Sequence, residues 1–345
     1  MKVEWKKLGE VCSFNRGRTI TAKDAVDGEV PVIAGGQVPS YYHNEANRKG
    51  ESIVVAGSGA YAGFISYWNQ PIFVSDAFTV DPTEELNHKY LFHWLKMNQA
   101  SIFATQKGAG VPHVHGKDIA NFTIPVPSLS EQERIVGILD TFTSSVENLK
   151  EQIAQRRKQY EHYRDQLLDL EGKEGVEMKM LGDACEIRRG IRVVKKQLTE
   201  DALFPVFQNS IAPMGYYDEF NRDGNMPYII CAGSSSGSVG FCSTPFWAAD
   251  DCYTIESSKV NKRYAYYALK RDNNNLFRQV RKGSMPRLPH EAIDNMIIPV
   301  PSLSEQARIV SILDTFEASI RNLEAQLSER QKQYEYYRNQ LLTFE

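Results

Sequence analysis

Cationic, amide and tyrosine side chains collect in short segments punctuated by glycine and proline. Early in the chain these are Arg16, Arg18, Gln37, Tyr41, Tyr42, His43, Asn44, Lys107, His113 and His115. After residue 176 they are Arg188, Arg189, Arg192, Lys195, Lys196, Asn209, Arg281, Lys282 and Arg287. These types suit DNA: Arg and Lys neutralise phosphates and bond guanine, while Asn and Gln pair with adenine. A solvated loop accounts for any one of them taken singly. The run Arg188–Lys196 carries more weight, because five cations in nine residues repel one another unless an anion meets them.

Catalytic signatures are missing. No (N/D)-P-P-(Y/F) loop is present to hold a flipped adenine, and no G-x-x-x-x-G-K-(S/T) to cradle a triphosphate. Gly57-Ser-Gly59-Ala-Tyr-Ala-Gly63 resembles a glycine-rich phosphate loop, but no amphipathic helix follows it. Its partner Gly233-Ser-Ser-Ser-Gly237 points to a β-turn instead. Glu171-Gly-Lys173 lacks the Pro-Asp that a nuclease centre would add. His113 and His115, with only Asp118 nearby, fall short of a metal set and are better read as base or phosphate contacts. Five scattered cysteines without C-x-x-C argue against both a disulfide framework and a zinc site. The expectation is therefore a non-catalytic chain with no cofactor or metal of its own, in a reducing cytoplasm.

The elements that must position these residues emerge from the whole sequence. At 345 residues, 42% apolar and 24% charged, the chain is ordinary globular material for two or three domains. No apolar run reaches the roughly 18–20 residues of a membrane helix, and no secretory signal opens the chain. The net charge of −3 requires any DNA-binding cations to be gathered locally.

Self-similarity is the strongest signal. Ile124-Pro-Val-Pro-Ser-Leu-Ser-Glu-Gln132 returns as Ile298–Gln306, and without gaps Ile124–Leu168 matches Ile298–Leu342 at 31 of 45 positions. Fainter matches precede these segments. Leu8-Gly9 and Arg16-Gly17 align with Leu181-Gly182 and Arg189-Gly190, Tyr41-Tyr42 with Tyr216-Tyr217, and Asn47-Arg48 with Asn221-Arg222. Ala56-Gly57-Ser58 aligns with Ala232-Gly233-Ser234, Gly63-Phe64 with Gly240-Phe241, and Lys107-Gly108 with Lys282-Gly283. The order is variable domain (1–123), near-identical helix (124–172), variable domain (173–297), near-identical helix (298–345). Two helices that have not drifted imply one kind of partner; two domains that have drifted imply different ones. The helical segments also hold the net negative charge.

Ser128-Leu-Ser-Glu131 and Ser302-Leu-Ser-Glu305 predict capping boxes. The first helix then carries Ile135, Leu139, Phe142, Val146, Leu149, Ile153, Arg156, Tyr160, Tyr163, Leu167 and Leu170 in alternating steps of four and three. The second carries Ile309, Leu313, Phe316, Ile320, Leu323, Leu327, Arg330, Tyr334, Tyr337, Leu341 and Phe344. A 3.5-residue period predicts a two-helix coiled-coil seam, its direction open. Arg156 and Arg330 interrupt it, either covering apolar surface with their stems or fixing register. In the variable domains, β-rich runs at Val30–Ile33, Ser52–Ala56, Phe64–Trp68 and Phe73–Val80 precede a helix near Lys89–Ser101. Runs at Phe204–Phe207, Tyr228–Ala232 and Phe246–Ile255 precede one near Arg263–Phe277. The fold class is α+β, as a tandem internal repeat.

The twice-repeated Ile-Pro-Val-Pro-Ser-Leu-Ser-Glu-Gln segment with Ile135 … Leu139-Asp140 resembles the proline–glutamine lead into the conserved helices of type I restriction-modification specificity subunits. The resemblance implies two target-recognition domains at opposite ends of an antiparallel helix pair, with pseudo-two-fold symmetry. It implies that each domain reads half of a bipartite, asymmetric site in double-stranded DNA and that the helices set the spacer. It further implies partners: two adenine methyltransferase subunits that bind S-adenosylmethionine, and a restriction subunit that uses ATP and magnesium to translocate and cut. A type IIB specificity subunit and a DNA-independent coiled-coil scaffold are the other readings the residues allow.

Overall fold

The computed structural model describes residues 3–344. The first half runs β1 (Glu4–Lys7), α1 (Leu8–Val11), β2 (Cys12–Arg16), β3 (Val30–Ile33), β4 (Tyr41–His43), β5 (Glu51–Ala56) and β6 (Ile65–Asn69). It continues with β7 (Phe73–Val74), β8 (Ala77–Pro82), α2 (His88–Met97), α3 (Gln99–Phe103), α4 (Gly116–Ile119), β9 (Thr123–Val126) and the long α5 (Leu129–Leu168). The second half repeats this order as β10 (Glu177–Met180), α6 (Leu181–Ala184), β11 (Glu186–Arg189), β12 (Phe204–Phe207), β13 (Gly215–Tyr217), β14 (Met226–Ile230) and β15 (Val239–Cys242). There follow β16 (Trp247–Ala248), β17 (Cys252–Glu256), α7 (Lys262–Arg271), α8 (Asn273–Gln279), α9 (His290–Asp294), β18 (Ile297–Val300) and α10 (Leu303–Leu342).

The chain forms two compact units. One takes residues up to Glu151 with those from Ala325 onward; the other takes Gln152–Glu324. The segments 1–123 and 173–297 hold the four- and three-stranded sheets, but the expected helical segments open with strands, Thr123–Val126 and Ile297–Val300, that pair back with the start of each domain, and α5 and α10 each lend one half to either unit.

In the first unit a four-stranded sheet, order β2-β8-β5-β6, lies with a three-stranded sheet, order β4-β3-β7, and the ribbon β1-β9. The second unit has the same three: β11-β17-β14-β15, β13-β12-β16 and β10-β18. The run Ile53-Val54-Val55 is buried throughout because β5 is a central strand, flanked by β8 and β6. Asn87 and Asn261 start α2 and α7, each side chain accepting from the two N–H groups that need a partner there.

The first core joins Leu8, Ile53, Ile65, Tyr90 and Leu95 to Ile135 and Leu139 of α5 and Leu342 of α10. The second joins Leu181, Ile229, Val239, Tyr264 and Leu269 to Leu168 of α5 and Ile309 and Leu313 of α10. The helix segments within each unit run antiparallel. In the first, Phe142 stacks on Tyr337 at 5.2 Å; in the second, Tyr163 stacks on Phe316 at 5.3 Å.

Several expectations need correction. The heptad stripe is not a helix–helix seam from end to end, since its first two turns enter the domain cores. Val146, Leu149, Tyr160, Leu167, Ile320, Leu323, Leu327, Tyr334 and Leu341 are half-buried; Ile153 is buried; Tyr163 and Tyr337 remain 45% and 44% exposed. Leu170 lies beyond the end of α5, and the residue buried in the last turn is Leu168. Arg156 and Arg330 sit over the rings of Phe316 and Phe142 at 5.9 and 5.6 Å, a cation–π contact in which the guanidinium itself takes part. The capping boxes form only in part: Ser302 Oγ accepts from Glu305 N at 3.3 Å, but Glu131 and Glu305 turn to Arg134 and Arg308.

The helices expected at Lys89–Ser101 and Arg263–Phe277 break at Asn98 and Asp272 into α2–α3 and α7–α8. The run Phe73–Val80 divides into β7 and β8, which belong to different sheets, and Phe246–Ile255 divides likewise.

The repeat register also moves. Ser58 bridges His113 as Ala232 bridges Arg287, and Gly59 and Gly233 share φ near +85°. Gly63 therefore corresponds to Gly237, not Gly240; Tyr42 to Tyr216; and Lys107 to Arg281, not Lys282. Drift in residue type had hidden a nearly gapless correspondence.

Candidate nucleic-acid interface

In the first domain three loops converge. Lys107 and His113 exchange backbone hydrogen bonds at 3.0 and 2.8 Å, closing a five-residue loop. Gly59 N donates to Pro112 O at 3.0 Å, tying that loop to the turn after β5. The loop after β3 reaches the same turn because Gly35 has no side chain: a Cβ there would stand 2.3 Å from Ser58 O. Beside them opens a cleft of about 370 Å³ lined by Phe14, Arg16, Asp76, His113, His115 and Lys117. Its floor depends on Gly116, whose missing Cβ would lie 2.6 Å from Phe14. His113 and His115 stack with ring centroids 6.1 Å apart and planes within 7°. Ser58 Oγ donates to Asp76.

The candidates in this domain divide. Arg16, His113 and His115 meet at the cleft, and Gln37 is exposed on the neighbouring loop. Tyr42 and Asn44 are exposed on β4 and the turn after it. His43 is a correction: it is 5% exposed, its Nδ1 accepts from Val26 N at 3.1 Å, and its ring meets Phe73 edge-on. Tyr41 is another, spending its hydroxyl on Ile20 O at 2.6 Å. Lys107 is bound to Asp118. Burial pushes the Asp118 carboxyl up, but Lys107 and the His115 N–H outweigh it and hold the group below the usual carboxylate range. Arg18 lies over Phe73 and 3.6 Å from Glu45.

The second domain builds the same frame. Arg281 and Arg287 exchange backbone bonds at 2.8 and 3.1 Å, and Gly233 N donates to Pro286 O at 2.9 Å. Asn209 packs beside Gly233. One extra residue here gives Asp250-Asp251 where the first domain has Asp76. Arg287 faces Asp251 at 3.8 Å, Arg189 Nε donates to Asp250 O at 2.7 Å, and Asp250 Oδ1 is buried without a partner. Arg188 is a correction, since its guanidinium is bidentate on Glu186 and within 3.5 Å of Glu256. The run Arg188–Lys196 is thus not five free cations. Arg192, Lys195, Lys196 and Lys282 are exposed, with no acidic partner among the described residues.

Two features escaped the sequence reading. The repeated Asn-Arg pair is a scaffold clamp: Asn47 exchanges bonds with Val74 while Arg48 reaches Thr79 Oγ1 and the carbonyls of Asn15 and Arg16. Asn221 and Arg222 do the same with Ala248, Thr254 and Arg189. Gln132 and Gln306, fully buried, join helix to domain. Gln132 Nε2 donates to Glu85 O and Pro127 O, and its Oε1 accepts from Asn87 N at 2.8 Å. Their recurrence in both halves was the available signal.

All five cysteines are buried and free. Burial pushes the Cys12 thiol up to about 12 and those of Cys185 and Cys231 to about 11, which leaves them poor nucleophiles at neutral pH. Among the described residues no group of three or more His, Cys, Asp or Glu could hold a metal ion, and no helix is long and apolar enough to cross a membrane.

The family model for the type I restriction modification DNA specificity domain matches this chain twice, over residues 2–156 and 173–330. A putative type I restriction enzyme specificity subunit of Haemophilus influenzae is 28% identical over 382 residues, covering 99% of this chain and 96% of that one. The specificity subunit of an Escherichia coli type I restriction enzyme is 26% identical over 415 residues, covering 100% and 95%. The crystal structure of the S subunit of a type I system from M. genitalium shares the fold, with a TM-score of 0.78, 19% identity and coverage of 100% and 97%.

Proposed function

We propose, from the premise that this chain belongs to the type I restriction-modification DNA specificity family, that its two loop clusters each read one half of a bipartite, asymmetric DNA site. The chain is the DNA-recognition subunit of a restriction-modification complex. The observation that carries the two-half reading is the repeat itself: one frame of sheets, clamps and glycines supports two loop clusters of different charge and residue type. Identical frames place the loops alike on DNA, and different side chains read different bases.

The finer assignments follow from the same contrast. Helices that hardly differ offer two equivalent surfaces, which fit two copies of one methyltransferase subunit. Adenine methylation with S-adenosylmethionine, and ATP- and magnesium-dependent translocation and cleavage, belong to partner subunits, because this chain has neither the base-holding nor the nucleotide-binding loop. A bacterial or archaeal cytoplasm is the compartment where such a complex meets DNA. The lengths of α5 and α10 set the spacer between half-sites.

Methylation-sensitive sequencing of a host carrying the complete system tests this. Exchanging residues 1–123 for another family domain should change one half of the methylated motif and leave the other. Change in both halves would end the modular reading. Four residues inserted near Gln152 add about 6 Å of helix and should lengthen the spacer with half-site identity unchanged. Purified chain free of partners should transfer no methyl group from labelled S-adenosylmethionine to DNA.

A further inference from the structure

The loops closed by Lys107 with His113 and by Arg281 with Arg287 each place one apolar side chain at the tip. Val111 is 53% exposed and Met285 58%. Single exposed apolar residues are ordinary on protein surfaces; the position of these two is not. Gly108-Ala-Gly-Val-Pro112 and Lys282-Gly-Ser-Met-Pro286 share only the proline, yet the residue before it is apolar and faces water in both. All else in the loop but the proline has drifted, while the chemical character of this residue has not.

The tips are also held firmly. Paired backbone bonds close each loop at its neck, and the proline carbonyl is anchored by Gly59 or Gly233. A knob on such a loop loses little conformational freedom when it meets a surface. Cationic or cation-capable side chains flank it, His113 in one domain and Arg281, Lys282 and Arg287 in the other. Cations at the neck and an apolar group at the tip match a groove whose rims are phosphate and whose floor carries a methyl group.

Building on the DNA reading above, we propose that Val111 and Met285 are specificity-determining residues, each making apolar contact with the 5-methyl group of a thymine in its own half-site. Thymine is the base that presents a methyl group on the major-groove edge. The flanking basic side chains, His113 in one domain and Arg281 and Lys282 in the other, set register on phosphates and the tip reads the base.

The test uses the full chain with its methyltransferase subunits and duplexes carrying the mapped site, each thymine in turn replaced by uracil, which lacks only that methyl. Wild-type complex should bind about fourfold more weakly at one uracil position per half-site, the effect of one buried methyl-sized group. Val111→Ser should lose the thymine–uracil difference in the first half alone, and Met285→Ser in the second half alone, with unchanged thermal melts. Uracil insensitivity in the wild type, or a thymine preference that survives both substitutions, overturns this assignment and leaves the DNA reading standing. Wild-type complex that binds no motif preferentially overturns both.

Discussion

Where α2 meets α5 in the first unit, Asp140 receives His93 Nε2 at 3.2 Å and Lys89 Nζ at 2.5 Å, while His93 Nδ1 lies 3.0 Å from the Tyr334 hydroxyl. Where α7 meets α10 in the second, Asp314 receives Tyr267 Oη at 2.5 Å and Arg263 Nε at 2.7 Å. An aspartate on the long helix is kept in both, but the donors have changed from His and Lys to Tyr and Arg. The glutamine joints next to these contacts are the same in both units. At these helix–domain junctions the aspartate is satisfied in both halves, and what varies is the chemistry that satisfies it. The two loop clusters are under looser constraint, because they are exposed and solvent can serve as their partner.

The glutamine joints offer the largest effect with which to break this comparison. Gln132→Leu strands one buried N–H and two carbonyls, each costing roughly 1–3 kcal/mol, and should destabilise by at least about 3 kcal/mol in urea unfolding. Gln306→Leu should cost about the same, since it leaves Asn261 N, Pro301 O and Lys259 O in the same position. Costs that differ severalfold would show that the joints are not equivalent. The clamps come next. Arg222→Met removes a half-buried guanidinium that serves a hydroxyl and two carbonyls, and should cost about 2 kcal/mol. Arg48→Met should cost less, its bond to Thr79 being 3.3 Å against 2.6 Å for Arg222 to Thr254.

The aspartate junction sharpens the comparison through pH. The bond from His93, and after it Lys89, hold the Asp140 carboxyl below the usual aspartate range, although burial opposes them. A depressed folded value means that the junction contributes fully above the unfolded value near 4 and is lost as pH falls through the lower, folded one. Asp140→Asn should therefore reduce stability by about 1–2 kcal/mol at pH 6 and flatten the loss as pH falls below about 4, measured by urea unfolding across the acid range. An unchanged acid slope would show that this junction does not couple to protons. The smallest effect concerns cations. Arg192→Gln should lower the salt dependence of DNA binding by up to about one phosphate contact. Arg188→Gln should hardly change it, because Glu186 and Glu256 already occupy that guanidinium.

The long helices were legible in the sequence because a 3.5-residue period survives in local order, and the repeat was legible because Ile124–Leu168 barely drifted. The joints were not. A buried glutamine looks like any surface glutamine until Asn87 N and Glu85 O are seen around it. Lys107 read as a free cation because Asp118 becomes its neighbour only through loop closure, and Arg188 because only an extended strand puts Glu186, two residues back, on its own face, with Glu256 added by strand pairing. His43 and Tyr41 share a strand with the exposed Tyr42, and strand alternation together with the loops at Ile20 and Val26 decided which of them faced inward. The repeat register slipped by one to three residues wherever identities were matched in place of glycine conformations.

The second unit is one unbroken stretch, Gln152–Glu324, whereas the first needs Leu342 in a core otherwise laid down by residues from Leu8 to Leu139. During synthesis the second unit has every residue of its buried core in hand, the last being Leu313, about thirty residues before the first does. The first domain must wait, its core of Ile135 and Leu139 lacking α10, until Leu342 has been made. Its final step closes a loop of about two hundred residues, and contacts so distant in sequence form slowly. Slow closure exposes apolar surface for longer, which makes the first unit the part of the molecule most dependent on chaperones and most open to proteolysis while nascent.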